Sequence, residues 1–185
     1  NNAIQQVLVL QFDEPPELFS NRKPVTADSQ GIIQLRAREG IVHGANLRFE
    51  PQPHKNTIGY WSNENDWAEW NFHVEKPGDY ELEILQGCGT GHGGSTVAVE
   101  TAGQSVRFEV QETGHFQNFI WRRLGKISFP QSTDAALTVK CVKKVSGAGE
   151  GENHHTQPIT NRAINKKRQI KRRYHGNAKN CENIW

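Results

Sequence analysis

The chain has 185 residues, of which 35% are hydrophobic and 23% charged, and it contains no methionine. This composition is ordinary for a globular protein and excludes a wholly disordered chain. No apolar run approaches the roughly 18 residues that a membrane-spanning helix needs, so no membrane partner is predicted. The missing methionine predicts that the sequence is a mature or excised piece of a longer protein.

Charge is distributed unevenly along the chain. Residues 1–147 contain 14 Lys and Arg against 17 Asp and Glu, whereas residues 148–185 contain 8 against 3. The body is therefore mildly acidic and the tail basic. The basic run at residues 166–174 has the clustered cations that phosphate contacts need. It lacks a recognisable nucleic-acid-binding fold and follows an acidic body, so nucleic acid is not predicted as a partner.

The first predicted strand covers residues 4–12, where apolar side chains occupy both parities, as in a strand buried on both faces. It looks like the closing strand of another domain, so residues 1–14 are assigned to a preceding domain that is absent from this chain. Residues 15–30 are polar and contain three prolines, a composition typical of a stiffened linker.

From residue 31 to residue 147, short alternating segments separated by turn residues predict an all-β fold. Their number and spacing favour a β-sandwich of two antiparallel sheets. The predicted strands are residues 32–37, 46–50, 67–74, 80–86, 96–101, 105–110, 119–129 and 136–142. Ala102 to Gln104 predicts a tight hairpin turn. Pro77 and Gly78 predict the turn of a second hairpin, between residues 67–74 and 80–86.

Side-chain alternation predicts which residues of these strands are buried. Trp70 and Trp121 are assigned to the core. Glu81 and Glu83 share the face opposite Tyr80. Two carboxylates about 5 to 9.5 Å apart can hydrolyse a glycosidic bond, but alternating glutamates more often keep an exposed strand face soluble, and we favour the second interpretation.

The glycine-rich segment at residues 87–94 follows a strand, as a phosphate-binding loop does. It precedes another strand instead of a helix N-terminus, so we predict a long flexible hairpin loop. Cys88, Cys141 and Cys181 have no CxxC spacing, which argues against zinc and leaves a Cys88–Cys141 disulfide open. The His154–His155 pair lacks further ligands at metal-binding spacing. No metal and no cofactor are predicted.

The chain after Gly147 shows no alternation and few core residues, so residues 148–185 are predicted to be a disordered basic tail.

Five ring-bearing side chains lie in or beside loops instead of at regular core positions. They are Tyr60, Trp61, Trp67, His115 and Phe116. A ring held on a loop offers a flat apolar face to the C–H groups of a sugar, while neighbouring amides and carboxylates bind hydroxyls. Such polar groups are supplied by Asn56, Asn63, Asn65 and Asp66. The alternative, that the ring plugs an end of the sandwich, stays open for Trp61 and for Trp67.

Two motifs give the sequence a family resemblance. Residues 66–80 contain D-W-x-E-W-x-F-x-V-x-x-P-G-x-Y, and residues 113–119 contain T-G-x-F-Q-x-F. With the sequence around them, from about Ile32 to Val142, they resemble the galactose-binding-like β-sandwich of carbohydrate-binding modules related to families 6 and 35. The resemblance is strongest to a variant at the C-termini of bacterial α-L-fucosidases and sulfatases. Residues 7–17 separately resemble the exit of the β-domain that follows the catalytic barrel of family 29 α-L-fucosidases.

The resemblance implies a jelly-roll sandwich and assigns roles to individual residues. Phe116 takes the position of the ring that stacks on sugar, with His115 and Gln117 beside it, and Tyr60 becomes the second aromatic. The predicted ligand-binding set is Tyr60, Trp61, Asn63, Asp66, Trp67, His115, Phe116 and Gln117.

The chain departs from related modules in two places. Related modules often carry an acidic E-A-E that helps to hold calcium, whereas residues 36–39 are Arg-Ala-Arg-Glu, so no calcium is predicted. Nothing after Gly147 looks like their final strand. Because a missing strand exposes a sheet edge, we hypothesise that the reading frame was lost near Gly147.

The predicted function is that of a non-catalytic accessory module, secreted or periplasmic, that binds or positions glycans. Its expected partners are a fucose- or galactose-containing glycan and the absent catalytic domain, most simply that of an α-L-fucosidase. Two alternatives stay open: a structural spacer that binds no sugar, and the C-terminal module of a sulfatase.

Overall fold

The computed structural model describes residues 23–145 and 160–165. This part of the chain forms eleven strands and one short 3-10 helix, η1 (Ala37–Glu39). The strands are β1 (Ile32–Leu35), β2 (Ile41–His43), β3 (Arg48–Glu50), β4 (Thr57–Gly59), β5 (Trp67–Val74), β6 (Gly78–Gln86), β7 (Thr96–Thr101), β8 (Gln104–Glu109), β9 (Ile120–Phe129), β10 (Thr133–Lys143) and β11 (Thr160–Asn165).

The strands form two main antiparallel sheets, which confirms the predicted all-β sandwich. One sheet has the order β1-β11-β6-β9 and the other β2-β5-β10-β7-β8, while β3 and β4 make a separate hairpin. Every predicted strand between residues 32 and 142 has a counterpart. Strands β2 and β4 were not predicted, because three residues are too few to show a period.

The core lies between the two sheets and is built by alternate residues of facing strands. Trp70 and Phe72 point inward from β5, and Tyr80 points inward from β6. Phe129 of β9 makes edge contacts with the rings of Phe72 and Tyr80, at centroid distances of 5.9 and 5.6 Å. Aromatic rings in edge-to-face contact add attraction beyond their burial, so this group ties the two sheets together.

The turn between β5 and β6 corrects one prediction. These strands do not pair with each other: β5 lies between β2 and β10, and β6 lies between β11 and β9. The segment with Pro77 and Gly78 therefore carries the chain from one sheet to the other instead of closing a hairpin. The predicted turn between β7 and β8 is confirmed, with positive φ angles of 49° at Ala102 and 71° at Gly103.

The assignment of Glu81 and Glu83 to an exposed face is also wrong. Only 5% of Glu81 and 9% of Glu83 is exposed. The guanidinium Nε of Arg123 lies 3.2 Å from a carboxylate oxygen of Glu81 and 3.9 Å from one of Glu83. One shared cation thus lies beside two carboxylates that alternate on the strand.

Trp121 gives the opposite correction. Its side chain was assigned to the core, yet 44% of the residue is exposed. The physical reason is a β-bulge in β9: Leu82 pairs with Gly125, but the next residue, Glu83, pairs with Arg123. The extra residue reverses the alternation, so Trp121 points outward although Ile127 and Phe129, which have the same parity, point inward.

Strand β11 overturns the prediction that the sandwich lacks its last strand. For residues 160–165 it also overturns the prediction of a disordered tail. It inserts between β1 and β6, with Ala163 opposite Ile33 on one side and Leu82 on the other. The missing strand was the reason for inferring a lost reading frame, so that hypothesis loses its support. Residues 148–159 and 166–185, with the histidine pair, the basic run and Cys181, lie outside the described residues.

The N-terminal side of the described chain is attached to the sandwich. Residues 1–22, with the predicted leading strand and most of the predicted linker, lie outside the described residues. In the remainder of the linker, Val25 forms a parallel bridge to Phe72 of β5. The Asp28 carboxylate accepts hydrogen bonds from the N–H groups of Gln30 and Ile32, at 2.8 and 2.9 Å. This part of the predicted linker is therefore bonded to the sandwich.

Side chains close one edge of the sandwich, where β8 faces β9. The Gln104 amide donates to the Ser128 carbonyl at 2.8 Å and accepts from the Ser128 N–H at 3.0 Å. The Arg122 guanidinium donates to the Glu109 carbonyl at 2.7 Å. Backbone groups at this edge thus find partners across the gap between the sheets.

Cys88 and Cys141 are free thiols, so the disulfide left open above is absent. Burial is the main cause that raises the pKa of the Cys88 thiol to about 11, with a further contribution from Glu112. Among the helical segments of the described chain, none has the length and apolar character required to cross a membrane.

Candidate functional site

The loops that contain the predicted ligand-binding residues meet at one end of the sandwich. In the five-stranded sheet, Trp67 at the start of β5 lies opposite Lys140 near the end of β10. The end of β8 lies beside the start of β7, since Glu109 pairs with Thr96. The loops that precede β5 and the loops that adjoin β7 and β8 therefore lie at the same end of the sandwich. Three strand spacings separate β5 from β8 in this sheet, or roughly 14 Å, so they form two clusters instead of one pocket.

The first loop cluster consists of residues 44–50 and 60–66, and Asp66 organises it. The Asp66 carboxylate accepts three hydrogen bonds, each of 2.8 Å, from the backbone N–H groups of Ala45, Asn46 and Leu47. The residue is 1% exposed. Burial acts to raise the pKa of this carboxyl, but the three N–H donors outweigh it and the pKa is lowered. Asp66 is thus an ionised side chain that holds residues 45–47 in place, an arrangement that we call the Asp66 bracket.

Gly44 shows how closely this loop approaches the carboxylate. Its φ is +114°, and a Cβ built on it would lie 2.0 Å from an Asp66 carboxylate oxygen. Both the backbone angle and the available space therefore require glycine here.

Trp61 and Asn63 support the same loop. Trp61 is 6% exposed, and its indole N–H donates to the Asp66 carbonyl at 2.9 Å. The Asn63 side chain accepts from the Asn65 N–H at 3.0 Å, and its carbonyl accepts from the Asp66 N–H at 3.2 Å. The buried Trp61 side chain thus fills the end of the sandwich, which is the alternative to a sugar contact that the sequence left open. Trp61 and Asp66 are therefore left out of the ligand contacts that we propose below.

Tyr60 is the half-exposed ring of this cluster. Its backbone has a φ of +61°, a conformation uncommon for residues other than glycine and frequent at functional sites. The guanidinium carbon of Arg48 lies 3.4 Å from the ring centroid. The ring thus carries a cation on one face, a contact that the sequence did not predict.

Trp67 is the first residue of β5, and it lies on the outer face of the five-stranded sheet, opposite the face that Ala68 and Trp70 bury. The imidazole of His43 stacks on its ring at 3.8 Å with an interplanar angle of 8°. The Lys140 ammonium lies 5.2 Å from the ring centroid. His43 and Lys140 belong to the strands on either side of β5, so the ring has a neighbour on each side.

The second loop cluster consists of residues 87–95 and 110–119, and Phe116 is its central ring. A Cβ added to Gly89 would lie 2.8 Å from the Phe116 ring. The His92 imidazole lies 5.1 Å from the same ring, tilted by 53°. The glycine-rich segment therefore lies against Phe116, and glycine is needed because of this close approach. His92 therefore belongs to this cluster, although it was not among the residues predicted from the sequence.

Hydrogen bonds hold the two loops of this cluster together. The Cys88 carbonyl accepts from the Thr113 N–H at 2.8 Å, and the Cys88 N–H donates to the Thr113 hydroxyl at 2.8 Å. The Glu112 carboxylate accepts from the N–H of Gly91 at 2.8 Å and from that of Gly93 at 3.4 Å. These bonds correct the prediction of a flexible hairpin loop: the segment joins the two sheets and is bound along its length to residues 110–114.

The polar residues beside Phe116 are arranged as a turn. The His115 carbonyl accepts from the Asn118 N–H at 3.0 Å, and the His115 Nδ1 accepts from the Gln117 N–H at 3.2 Å. His115 and Asn118 are exposed, whereas Phe116 and Gln117 are half-buried. Three kinds of polar side chain thus lie next to one half-exposed ring. Asn118 was not singled out from the sequence.

Between the two clusters lies the segment that follows β10. The Lys144 ammonium donates to the Ser62 carbonyl at 2.6 Å, and the Val145 N–H donates to the Ser95 hydroxyl at 3.1 Å. These bonds fix the relative position of the two clusters.

Solved structures with the same fold include two carbohydrate-binding modules. The C-terminal family 6 module of LamC, a laminarinase from Zobellia galactanivorans, has 14% identity and a TM-score of 0.53 over 71% of this chain and 98% of that chain. A family 35 module from Clostridium thermocellum has 14% identity and a TM-score of 0.56 over 72% of this chain and 98% of that chain. These similarities confirm the predicted fold of a carbohydrate-binding module.

The fold alone does not single out one function. The insecticidal crystal protein Cry2Aa has 13% identity and a TM-score of 0.59, over 77% of this chain and 23% of that chain. No family model matches the sequence, and no curated protein matches it. Function therefore has to be argued from the residues at the loop end.

Proposed function

We propose that this protein is a non-catalytic accessory module that binds glycans through the loop end of its sandwich, with Phe116 as the main contact. The observation that supports this most is the placement of the Phe116 ring. Two loops tied by backbone hydrogen bonds hold it half-exposed beside His115, Gln117 and Asn118. An apolar ring next to several hydrogen-bonding groups suits a sugar, which has C–H faces and hydroxyl edges.

The bound geometry is prepared before the ligand arrives. Because the Cys88–Thr113 and Glu112–Gly91 bonds already order the loops, sugar binding loses little conformational entropy there. The contact area of one ring and a few polar side chains is small, so affinity for a single sugar is weak. Tyr60 with Arg48 supplies a second contact in the other loop cluster at the same end of the sandwich, suited to another unit of the same glycan.

We further propose that the module belongs to a secreted or periplasmic glycoside hydrolase, and that this enzyme is an α-L-fucosidase. A sulfatase is the second choice. This proposal is supported by the two sequence motifs and by the resemblance of residues 7–17. The catalytic domain would be the protein partner, and a fucose- or galactose-containing glycan the ligand. Hydrolysis of an aryl α-L-fucoside by this chain alone would contradict the assignment of the module as non-catalytic.

Titration of the complete chain with a glycan panel tests the binding function. A responding sugar should bind Phe116→Ala at least about tenfold more weakly, since losing a ring contact costs on the order of 1.4 kcal/mol or more. The same titration of Tyr60→Ala tests whether the first loop cluster contributes to glycan binding. Circular dichroism of each variant checks that the fold is intact.

A spacer that packs on the catalytic domain is the second candidate, favoured by the structural use of Trp61 and Asp66. No response to any sugar from an intact wild-type fold would support it and would reject the binding function.

A further inference from the structure

A groove of about 610 Å³ opens at the edge of the five-stranded sheet, apart from both loop clusters. Its floor includes Ile41 of β2 and Asn71 of β5. Asn71 lies four residues along β5 from Trp67, or roughly 13 Å from the loop end. The volume is within the range of roughly 300 to 1,000 Å³ that small-molecule sites occupy.

The first wall of the groove is the segment at residues 23–26. The Val25 N–H donates to the Asn71 carbonyl at 3.0 Å, and the Val25 carbonyl accepts from the His73 N–H at 2.8 Å. Val25 and β2 pair with successive parts of the same edge of β5, and the groove opens between them. The wall is thus fixed to the sheet.

The second wall is η1. The residue that precedes it, Arg36, is anchored to the core because the Trp70 indole N–H donates to the Arg36 carbonyl at 2.8 Å. The Glu39 carboxylate accepts from the Arg36 N–H at 3.1 Å and lies 3.5 Å from the Arg36 guanidinium. Both walls are therefore held by hydrogen bonds to the sheet or core, and the groove is preformed.

The charges that face this groove are mostly positive. Lys23 and Arg38 line it and are exposed, and neither forms an ion pair within residues 23–145. The one carboxylate in the lining, that of Glu39, is opposed by Arg36. The Asn71 amide adds a neutral donor and acceptor. None of the described residues that line the groove is aromatic, so stacking on a neutral sugar is not its chemistry.

We propose that this groove binds the anionic group of an acidic saccharide. Lys23 and Arg38 bind the charge, Asn71 binds an adjacent hydroxyl, and Val25 and Ile41 supply the apolar contacts. A uronic acid carboxylate and a sulfate ester offer the same chemistry here, two or three anionic oxygens that accept charge-assisted hydrogen bonds. The proposal adds a second sugar site and rests on the proposed glycan-binding function.

The test uses ¹⁵N NMR titration of the complete chain with three probes: a glucuronic-acid-containing disaccharide, its carboxyl-reduced counterpart, and a sulfated disaccharide. An acidic probe should shift the amide signals of Ile41 and Asn71, and the carboxyl-reduced probe should not. Arg38→Gln should weaken this response about 5- to 10-fold, and so should Lys23→Gln. Raising the NaCl concentration from 20 to 300 mM should also weaken it.

The controls separate this site from the loop end. Arg107 is an exposed cation on β8, and Arg107→Gln should leave the groove response unchanged. Phe116→Ala should also leave it unchanged, so failure of the loop site and failure of the groove are distinguishable. Response to only one acidic probe supports the proposal and identifies the anion. Equal responses to the acidic and carboxyl-reduced probes, no response at the groove amides, or equal behaviour of Arg38→Gln and Arg107→Gln would overturn it.

Discussion

The Asp66 bracket predicts a large stability change from a substitution that alters hardly any volume, Asp66→Asn. The carboxylate accepts three backbone hydrogen bonds of 2.8 Å and is 1% exposed. Asparagine has one acceptor oxygen, and its amide N–H₂ cannot accept from an N–H donor. At least one of the three donors, on Ala45, Asn46 or Leu47, therefore loses its partner.

The expected cost follows from these bonds. Two bonds that persist to a neutral oxygen lose about 1 kcal/mol each, since bonds to a charged group are worth about 1.5 to 3 kcal/mol and neutral ones about 0.5 to 1.5. An orphaned buried N–H costs about 1 to 3 kcal/mol more. Asp66→Asn should thus lower the free energy of unfolding by about 3 to 5 kcal/mol, and the melting temperature by roughly 6 to 20 °C.

The penalty should depend on pH in a defined direction. The pKa of Asp66 is lowered in the folded protein, so wild-type stabilisation is complete above the unfolded value of about 3.9. It is lost as the pH falls from about 4 through the lowered folded pKa. Because asparagine does not titrate, the difference between wild type and variant should shrink over that window.

Chemical denaturation of both proteins at pH 7 and pH 3 measures this difference. Asp79→Asn is the matched control, because that carboxylate is exposed and accepts one hydrogen bond, from the Ser128 hydroxyl. The control should change stability by less than about 0.5 kcal/mol. An Asp66→Asn protein as stable as the control at pH 7, or one whose penalty is the same at pH 3, would refute the argument.

Three further predictions address other parts of the fold. Gly89→Ala should displace the Phe116 ring and weaken glycan binding. Gly91→Ala, at a φ of +79° with no atom near its Cβ, should cost roughly 1 kcal/mol of stability by backbone strain and leave binding unchanged. Calorimetry and glycan titration of both variants check this, and equal glycan affinities of the two variants would contradict it. With a pKa of about 11, Cys88 is thiolate in about one molecule per thousand at pH 8, so site-resolved alkylation should modify it far faster after unfolding; rapid labelling of the native protein would show that the thiol is accessible. Ala163→Pro should cost about 3 kcal/mol or more by breaking pairing in the middle of a sheet, and an unchanged thermal melt would mean that β11 does not hold the sandwich together.

The long strands were predictable because their burial alternates over many residues. In β5, Trp70, Phe72 and Val74 alternate with polar residues, so the period is visible in the sequence itself. Strand β11 has only Ala163 and Ile164 as apolar residues. It becomes a strand because β1 and β6 offer unpaired edges on both sides, and that information lies in its partners, more than 70 residues away along the chain.

The candidate site divides in the same way. The loop positions of Tyr60 and Phe116 follow from local sequence, since each lies just outside an alternating segment. The burial of Asp66 does not, because the N–H groups that surround it come from residues 45–47. Likewise, the glycine-rich segment looks flexible until Glu112 and Thr113, from the other side of β7 and β8, are placed against it.

The pairing of Ile32 with Ile164 also determines when the protein can finish folding on the ribosome. Strand β1 is the first of the described strands to be synthesised, and its only sheet neighbour in the described chain, β11, is the last of them. At about 5 to 20 residues per second, β1 waits on the order of ten seconds for its partner. Until β11 is made, the edge of β1, and that of β6 once it is synthesised, stay exposed and open to pairing with neighbouring nascent chains. A chaperone that covers these edges until β11 is synthesised should therefore raise the yield of folded protein.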